Sequence, residues 1–240
     1  RFPLYQDLTV EGNLSFFATV FHTTIEENYD LVRDIYRQIE PFRTRRAGAL
    51  SGGMKQKLAL SCALIHKPDI LFLDEPTTGV DPVSRKEFWE MLRRLKEQGI
   101  TIIASTPIID EARQCDRIAF INEGRIHGID TPGRILKQFA DILCPSGLLH
   151  EKADNRENHV IEVDGLPKRF GTFTAVDHIS FKVRQGEIFG FLGANGAGKT
   201  TAMRMLTGLS YPTDGKACVA GFDVATQSEA VKKNIGYMSQ

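Results

Sequence analysis

A glycine-rich segment constrains the fold of this 240-residue chain more than any other feature. The segment GANGAGKT, residues 193–200, follows the apolar run EIFGFLG and precedes the helical pattern KTTAMRMLTGL. Glycines in such a turn allow backbone N–H groups to face phosphate oxygens, and the helix N-terminus adds positive partial charge. We therefore expect a strand–loop–helix unit in which Lys199 reaches the β and γ phosphates and the Thr200 hydroxyl binds Mg²⁺.

The remaining pattern indicates a chain built from strands and helices. DILFLDE and ITIIAS are short apolar runs, typical of parallel strands buried on both faces. Residues 179–183 alternate apolar with polar side chains, which predicts a half-buried strand of an antiparallel sheet. Residues 8–40 have helical spacing of their apolar positions, and a further helix is predicted from Gly52 to His66.

Two acids stand at the end of the strand ILFLDEP. Asp74 is expected to hold Mg²⁺ through water, and Glu75 is expected to polarise an attacking water molecule. An Asp-Glu pair after a strand is common, however, and often does no more than cap a helix. The functional interpretation therefore depends on the phosphate loop elsewhere in the chain.

The segment LSGGMKQK, residues 50–57, predicts a second anion site. Ser51 is a good N-cap residue, and Gly52 and Gly53 leave the amides at the helix start uncovered. An ordinary capped helix would have the same residues, since Ser-Gly-Gly is not rare.

LSGG, Gln56, LFLDEPTTGVDP and the phosphate loop together resemble the ATP-binding cassette (ABC) ATPases over nearly the whole chain. The resemblance implies an α/β fold: a P-loop NTPase core of ABC type with an antiparallel β subdomain and a helical subdomain. The segments MSQ, LYQDLTV and DEPTTGVDP are most similar to the ATPases of ABC-2-type exporters, including drug exporters. The implied function is ATP binding and hydrolysis that powers a membrane permease.

The resemblance also implies roles for individual residues. Ser51, Gly52 and Gly53 would cover the γ-phosphate of an ATP held by a second cassette in a head-to-tail dimer, and the loop at Val80 and Asp81 would cross that dimer interface. The residues expected to bind ATP are Phe170, which stacks on adenine, Gly193, Ala194, Asn195, Gly196, Ala197, Gly198, Lys199, Thr200, Thr201, Ser51, Gly52, Gly53 and Gln56; Glu75, Gln240 and Lys199 are expected to be catalytic, and Thr200, Asp74 and Gln240 to bind Mg²⁺.

One position departs from the family pattern. The family has a histidine just before xxDEA that hydrogen-bonds the γ-phosphate, whereas this chain has Pro107 in ASTPIIDEA. Proline has no side-chain donor and no N–H. ATP hydrolysis at a site that relies on this position should therefore be impaired.

The motifs occur in a rotated, circularly permuted order. Residues 1–140 correspond to the C-terminal part of a cassette, residues 141–159 to a polar linker, and residues 160–240 to the N-terminal part up to Gln240. Each half alone would expose two-faced apolar strands, so we expect the halves to dock into one cassette. A segment of a chain with two tandem cassettes and a true circular permutation both fit this order, and the tandem origin is preferred.

Composition limits the partners. Lys+Arg and Asp+Glu both number 30, so bulk charge does not predict a nucleic-acid partner. The apolar runs are shorter than the roughly 20 residues that span a bilayer. With no signal peptide recognised and four scattered cysteines, we expect a cytoplasmic protein, peripheral on the inner face of the membrane through an integral permease.

Two alternative functions stay open. A hydrolysis-impaired cassette could hold ATP as regulatory dimer glue, which Pro107 favours. A soluble ABC ATPase acting on DNA or ribosomes would carry a coiled-coil insertion or a basic helical linker, and neither is found in this sequence.

Overall fold

The computed structural model describes residues 4–142 and 158–239. Two 3₁₀ turns, Glu40–Phe42 and Ala47–Ala49, accompany the regular elements. The helices are α1 Val10–Val20, α2 Tyr29–Tyr36, α3 Gly52–Leu64, α4 Pro82–Glu97, α5 Ile109–Ala112, α6 Pro132–Ile142, α7 Lys199–Leu206 and α8 Ser228–Asn234. The strands are β1 Ile70–Asp74, β2 Thr101–Thr106, β3 Arg117–Asn122, β4 Arg125–Asp130, β5 His159–Phe170, β6 Phe173–Arg184, β7 Ile188–Leu192, β8 Lys216–Val219, β9 Phe222–Asp223 and β10 Ile235–Ser239.

The main sheet combines strands from both ends of the chain. Among the described residues its strands run in the order β10-β1-β2-β7-β3-β4, with β3 and β4 antiparallel and the other neighbouring pairs parallel. The strand before the glycine-rich loop, β7, lies between β2 and β3, with Ile102 opposite Ile188 and Arg117 opposite Phe189. All residues of β1, β2 and β7 are buried, as expected for strands covered on both faces.

A four-stranded antiparallel sheet, in the order β6-β5-β8-β9, packs on one side of the main sheet. In β6, Ile179, Phe181 and Val183 are buried, whereas Ser180 and Lys182 are exposed. Phe181 stacks on Phe189 of the main sheet with ring centroids 5.5 Å apart. The alternation predicted for residues 179–183 is confirmed.

Helices α1, α2 and α3 share a second apolar cluster with β1 and β2. The helical pattern of residues 8–40 is interrupted between α1 and α2. His22 adopts a positive φ of 56° just after α1. Side chains then replace helical hydrogen bonds, since Thr24 N donates to Glu27 Oε2 and Glu27 N donates to Thr24 Oγ1, both at 3.2 Å. Threonine side chains commonly compete with the helix in this way.

The predicted linker lies mostly outside the described residues. Helix α6 extends to Ile142, β5 begins at His159, and residues 143–157 are not described. Within residues 4–142 and 158–239, no helix combines the length and apolar character that a membrane span requires.

Candidate nucleotide-binding site

The glycine-rich loop connects β7 to α7 and leaves no room for side chains at two positions. A Cβ on Gly193 would lie 2.2 Å from the carbonyl oxygen of Ile121, and a Cβ on Gly198 would lie 2.6 Å from that of Ala175. Gly198 is also the N-cap of α7, with a φ of 103° that favours glycine. The backbone of the loop thus lies directly against β3 at Gly193 and against β6 at Gly198. Ala194, Asn195 and Gly196 are exposed at the tip of the loop.

Lys199 begins α7 and is 3% exposed. Its Nζ donates hydrogen bonds to the carbonyl oxygens of Gly193 and Ala194, each at 2.9 Å. The same ammonium group lies 3.3 Å from Oε1 of Glu75. The loop therefore encloses a positive charge next to its own backbone, within reach of the acid that follows β1.

The carboxylate of Asp74 accepts hydrogen bonds from two hydroxyl groups, one in strand β2 and one in helix α7. Oδ1 of Asp74 accepts hydrogen bonds from Thr200 Oγ1 at 3.1 Å and from Ser105 Oγ at 2.7 Å. Asp74 is 6% exposed. Parallel strands that end at one edge of a sheet bring these groups together, because β1, β2 and β7 are neighbours there.

Glu75 has a φ of 51°, in the left-handed region that a non-glycine residue rarely adopts. Ser105 stabilises this conformation, since Glu75 N donates to Ser105 Oγ at 3.0 Å and to Ser105 O at 3.2 Å. Strained backbone of this kind persists where the surroundings determine it and is concentrated at functional sites. The left-handed backbone conformation of Glu75 turns its carboxylate toward Lys199.

These residues fit Mg²⁺ and a polyphosphate. Asp74 and Thr200 offer hard oxygen ligands side by side, and Lys199 and the α7 N-terminus supply positive charge. Among the described residues there is no group of three or more His, Cys, Asp or Glu side chains that could hold a metal. Mg²⁺ is usually bound by one or two carboxylates together with substrate phosphates and water, so this small donor set is appropriate. Gln240, the third expected ligand, lies outside the described residues.

The residues of the LSGGMKQK segment lie at a different place, against α4 and the loop after β1. Ser51 is the N-cap of α3 and accepts a hydrogen bond from Met54 N at 3.4 Å. Gly53 packs so closely that a Cβ would lie 2.8 Å from Ser84 Oγ. Nε2 of Gln56 donates to the carbonyl oxygen of Pro76. Ser51 and Gly52 are exposed, so the amides at this helix start face solvent.

Phe170 ends β5 opposite Phe173 and is 56% exposed. The ammonium group of Lys168 lies 5.1 Å from the centre of its ring and donates a hydrogen bond to Tyr211 O at 2.6 Å. An exposed aromatic ring held in this way offers a flat face for a base.

A buried polar cluster near the site was not found from the sequence. Glu111, 3% exposed, accepts hydrogen bonds from Thr77 Oγ1 and from Thr106 Oγ1, the latter at 2.6 Å, and lies 3.3 Å from Arg85 Nε. The only sequence signal was the acid pair in IIDEA, next to Pro107. Pairing with Thr77 depends on long-range packing, because the two residues are 34 positions apart.

The fold and the loop between β7 and α7 define a nucleotide-binding protein of the phosphate-loop class. Comparison with protein families narrows this class, since the ABC transporter family model matches residues 3–78 and 176–240. The chain therefore belongs to the ABC transporter family. The resemblance inferred from the motifs and the α/β fold that it implied are confirmed.

The chain is similar to named ATP-binding proteins of this family. In an alignment of 322 positions, gaps included, it is 33% identical to the probable multidrug ABC transporter ATP-binding protein YbhF of Escherichia coli. The alignment covers 100% of this chain and 56% of the relative. It is 43% identical over 122 residues to the Nod factor export ATP-binding protein I of Burkholderia lata, covering 50% of this chain and 40% of the relative. The chain thus spans about half the length of these relatives.

Among solved structures, the chain is similar to cbiO1 from Clostridium perfringens, described as part of the ABC transporter complex cbiONQ. The sequences are 29% identical and the TM-score is 0.48, over 58% of this chain and 59% of the other.

Proposed function

We propose that this chain binds Mg-ATP and hydrolyses it to power a membrane permease, as the ATPase of an ABC-2-type exporter. The observation that carries the proposal is the meeting of Lys199, Thr200, Asp74 and Glu75 at the carboxyl edge of the main sheet. Each is a residue type that phosphoryl transfer requires, and the four come from two motifs that are far apart in the sequence, GANGAGKT and ILFLDEP.

The chemistry of each residue suggests its role in ATP binding and hydrolysis. Lys199 and the N-terminus of α7 would hold the phosphates, and Asp74 and Thr200 would hold the metal. Bound Mg²⁺ neutralises phosphate charge that develops during transfer. Glu75 would accept the proton of an attacking water, and its fixed backbone reduces the cost of orienting the carboxylate.

The proposed partners are a second cassette and a membrane permease. Ser51 and Gly52 are exposed at the start of α3, which supports a role in covering ATP held by a second cassette in a head-to-tail dimer. The names of the Escherichia coli and Burkholderia relatives include multidrug transport and Nod factor export, which supports an exporter. A permease partner would keep the chain peripheral on the cytoplasmic face of the membrane.

The motif order is best interpreted as that of two tandem cassettes. The alignment to the Escherichia coli protein covers all of this chain in its own order, which supports a tandem origin over a permuted gene. The parts proposed from the sequence, residues 1–140 and 160–240, both supply strands to the main sheet.

The function can be tested on the full chain in two measurements. Equilibrium titration with a fluorescent ATP analogue, with and without Mg²⁺, measures binding, and steady-state phosphate release measures hydrolysis. We expect Glu75→Gln to retain binding while hydrolysis falls about 100-fold or more, as for loss of a general base. Failure to bind ATP at millimolar concentration would refute the proposal.

Pro107 favours a second function, a cassette that holds ATP as dimer glue. Pro107 follows β2 directly and is exposed, yet it offers no donor to a γ-phosphate. Tight ATP binding combined with slow turnover that is insensitive to Glu75→Gln would support this second function.

A further inference from the structure

The loop that follows β1, residues 76–80, is held from three sides by polar contacts, one of them buried and two partly buried. From α3, Gln56 Nε2 donates to the carbonyl oxygen of Pro76. From α4, Arg85 Nη2 donates to the carbonyl oxygen of Val80 at 3.2 Å. From the start of α5, Glu111 accepts a hydrogen bond from Thr77 Oγ1. This loop directly follows Glu75 in the sequence. The position of the loop therefore limits where the Glu75 carboxylate can point.

Glu111 connects the remaining members of this cluster. One carboxylate oxygen, Oε1, contacts Thr77 and lies 3.3 Å from Arg85 Nε, while Oε2 accepts the Thr106 hydroxyl at 2.6 Å. Thr106 Oγ1 in turn accepts a hydrogen bond from Ile108 N at 3.0 Å. Both carboxylate oxygens are thus engaged, and the pair with Arg85 compensates the charge of a residue that is 3% exposed.

Burying an acid at this depth is costly unless its partners are fixed, and removing one partner from such a group is strongly destabilising. The contacts of Glu111 span the loop after β1, the start of α4 and the turn after β2 that contains Pro107. They therefore join the segment that carries Glu75 to the segment that the family uses for its γ-phosphate histidine.

We propose that Glu111 is a positioning residue for ATP hydrolysis: through Thr77, Thr106 and Arg85 it fixes the 76–80 loop and hence the orientation of Glu75. This rests on the proposed ATPase function. Pro107 cannot donate a side-chain hydrogen bond at the end of β2. In this chain the Glu111 cluster acts on Glu75 together with the Ser105 hydrogen bonds and the Lys199 ion pair.

A matched control is available at the opposite edge of the sheet. Glu187 is 6% exposed, lies 3.2 Å from Arg117 Nη1 and accepts a hydrogen bond from Arg184 N at 2.8 Å. It precedes β7 and is thus at the end of that strand away from the phosphate loop. Glu187→Gln therefore removes an equally buried, arginine-paired carboxylate without touching the 76–80 loop.

The test compares Glu111→Gln with Glu187→Gln in the full chain. We expect Glu111→Gln to lower kcat about tenfold or more while KM for ATP changes less than about threefold, because an interaction that acts through orientation affects the chemical step. Glu187→Gln should leave kcat within about twofold. Equal losses of kcat in the two variants would overturn the proposal.

Amide hydrogen exchange gives a readout that does not require turnover. The amides of Thr78 and Val80 bond within the loop, to Glu75 O at 3.3 Å and Thr77 O at 3.2 Å. Glu111→Gln should accelerate exchange at these amides and at Ile108, whereas Glu187→Gln should not. Unchanged exchange in Glu111→Gln would overturn the proposal even if the wild-type chain binds ATP without hydrolysing it. Absence of wild-type turnover alone would count against the ATPase function only.

A threonine pair keeps the test valid if Glu111→Gln fails to fold. Thr77→Ser retains the hydroxyl that Glu111 accepts, and Thr77→Val removes it at nearly the same volume. We expect Thr77→Val to show the same faster amide exchange in the 76–80 loop, and Thr77→Ser to keep the slow exchange of the wild type. Identical exchange in both threonine variants would contradict the role of the hydrogen bond to Glu111.

Discussion

The hydroxyl of Thr200 donates a hydrogen bond of 3.1 Å to the carboxylate of Asp74, although the two residues are 126 positions apart. Thr200 is the second residue of α7, and Asp74 ends β1, so this contact joins two distant parts of the chain at the site. It exists because β7 lies between β2 and β3 in the main sheet. The oxygens proposed to bind Mg²⁺ are therefore brought together by long-range packing rather than by local sequence.

Replacing Lys199 with methionine should weaken ATP binding. The change removes the buried charge and keeps most of the apolar stem, so the affinity should fall about 10- to 100-fold, the range for loss of one charge-assisted hydrogen bond. Equilibrium titration with a fluorescent ATP analogue measures this. Lys216→Met, at an exposed lysine in β8, is the control and should bind normally. Equal affinities in both variants would remove Lys199 from the site.

Replacing Gly198 with alanine should damage both stability and binding. The φ of 103° and the 2.6 Å approach to the Ala175 carbonyl oxygen both exclude a Cβ. We expect a loss of about 1–3 kcal/mol in the free energy of unfolding, measured by urea denaturation, together with loss of ATP binding.

Gly133→Ala is the matched control for this substitution. A Cβ at Gly133 would meet no atom within 4 Å, and the residue lies in α6. Alanine there should be neutral or stabilising by up to about 1 kcal/mol, because alanine is the better helix former. A loss at position 198 no larger than at position 133 would contradict the close-packing argument.

Replacing Pro107 with histidine should raise ATP hydrolysis. A histidine adds a donor where the family pattern has one, and one well-placed donor to developing charge contributes roughly 100-fold or more in other enzymes, so an increase of about tenfold is a modest expectation. Steady-state phosphate release measures it. Pro107→Ala restores a backbone N–H but adds no side-chain donor, so it should not raise the rate. No increase in Pro107→His would show that this position does not limit turnover.

Local patterns predicted much of the fold. The strands β1, β2 and β7 are continuous apolar runs, and their complete burial follows from that composition. The break between α1 and α2 was not predicted, because it depends on the left-handed conformation of His22 and on side-chain hydrogen bonds of Thr24 and Glu27. Apolar spacing alone contains no information about either.

The site could be predicted only as far as its motifs extend. Lys199, Asp74 and Glu75 belong to recognisable segments, whereas Glu111 and Thr106 were missed. Their contacts form only when the turn after β2 packs on the loop after β1, and neither residue type is distinctive at its own position. The positive φ of Glu75 was likewise beyond the sequence, since it follows from the Ser105 contacts.

His66 should make folding stability depend on pH. Its Nε2 lies 2.9 Å from the Ile235 carbonyl oxygen, its ring stacks on Phe21 with centroids 3.8 Å apart, and its Nδ1 is buried without a hydrogen-bond partner. Burial lowers the pKa of His66 below its usual 6.5, although the hydrogen bond to Ile235 opposes this. The native state consequently binds fewer protons than the unfolded chain in this range.

Stability from His66 is therefore fully present above about pH 7 and declines as the pH falls through 6.5 toward the lower pKa of the folded state, by at most about 1.4 kcal/mol per pH unit. Urea denaturation at a series of pH values between 8 and 5.5 measures the decline. His66→Phe keeps an aromatic ring against Phe21 but does not titrate, so its curve should be less steep than that of the wild type, even if its stability at pH 8 is lower. A wild-type slope in His66→Phe would assign the pH dependence to other groups.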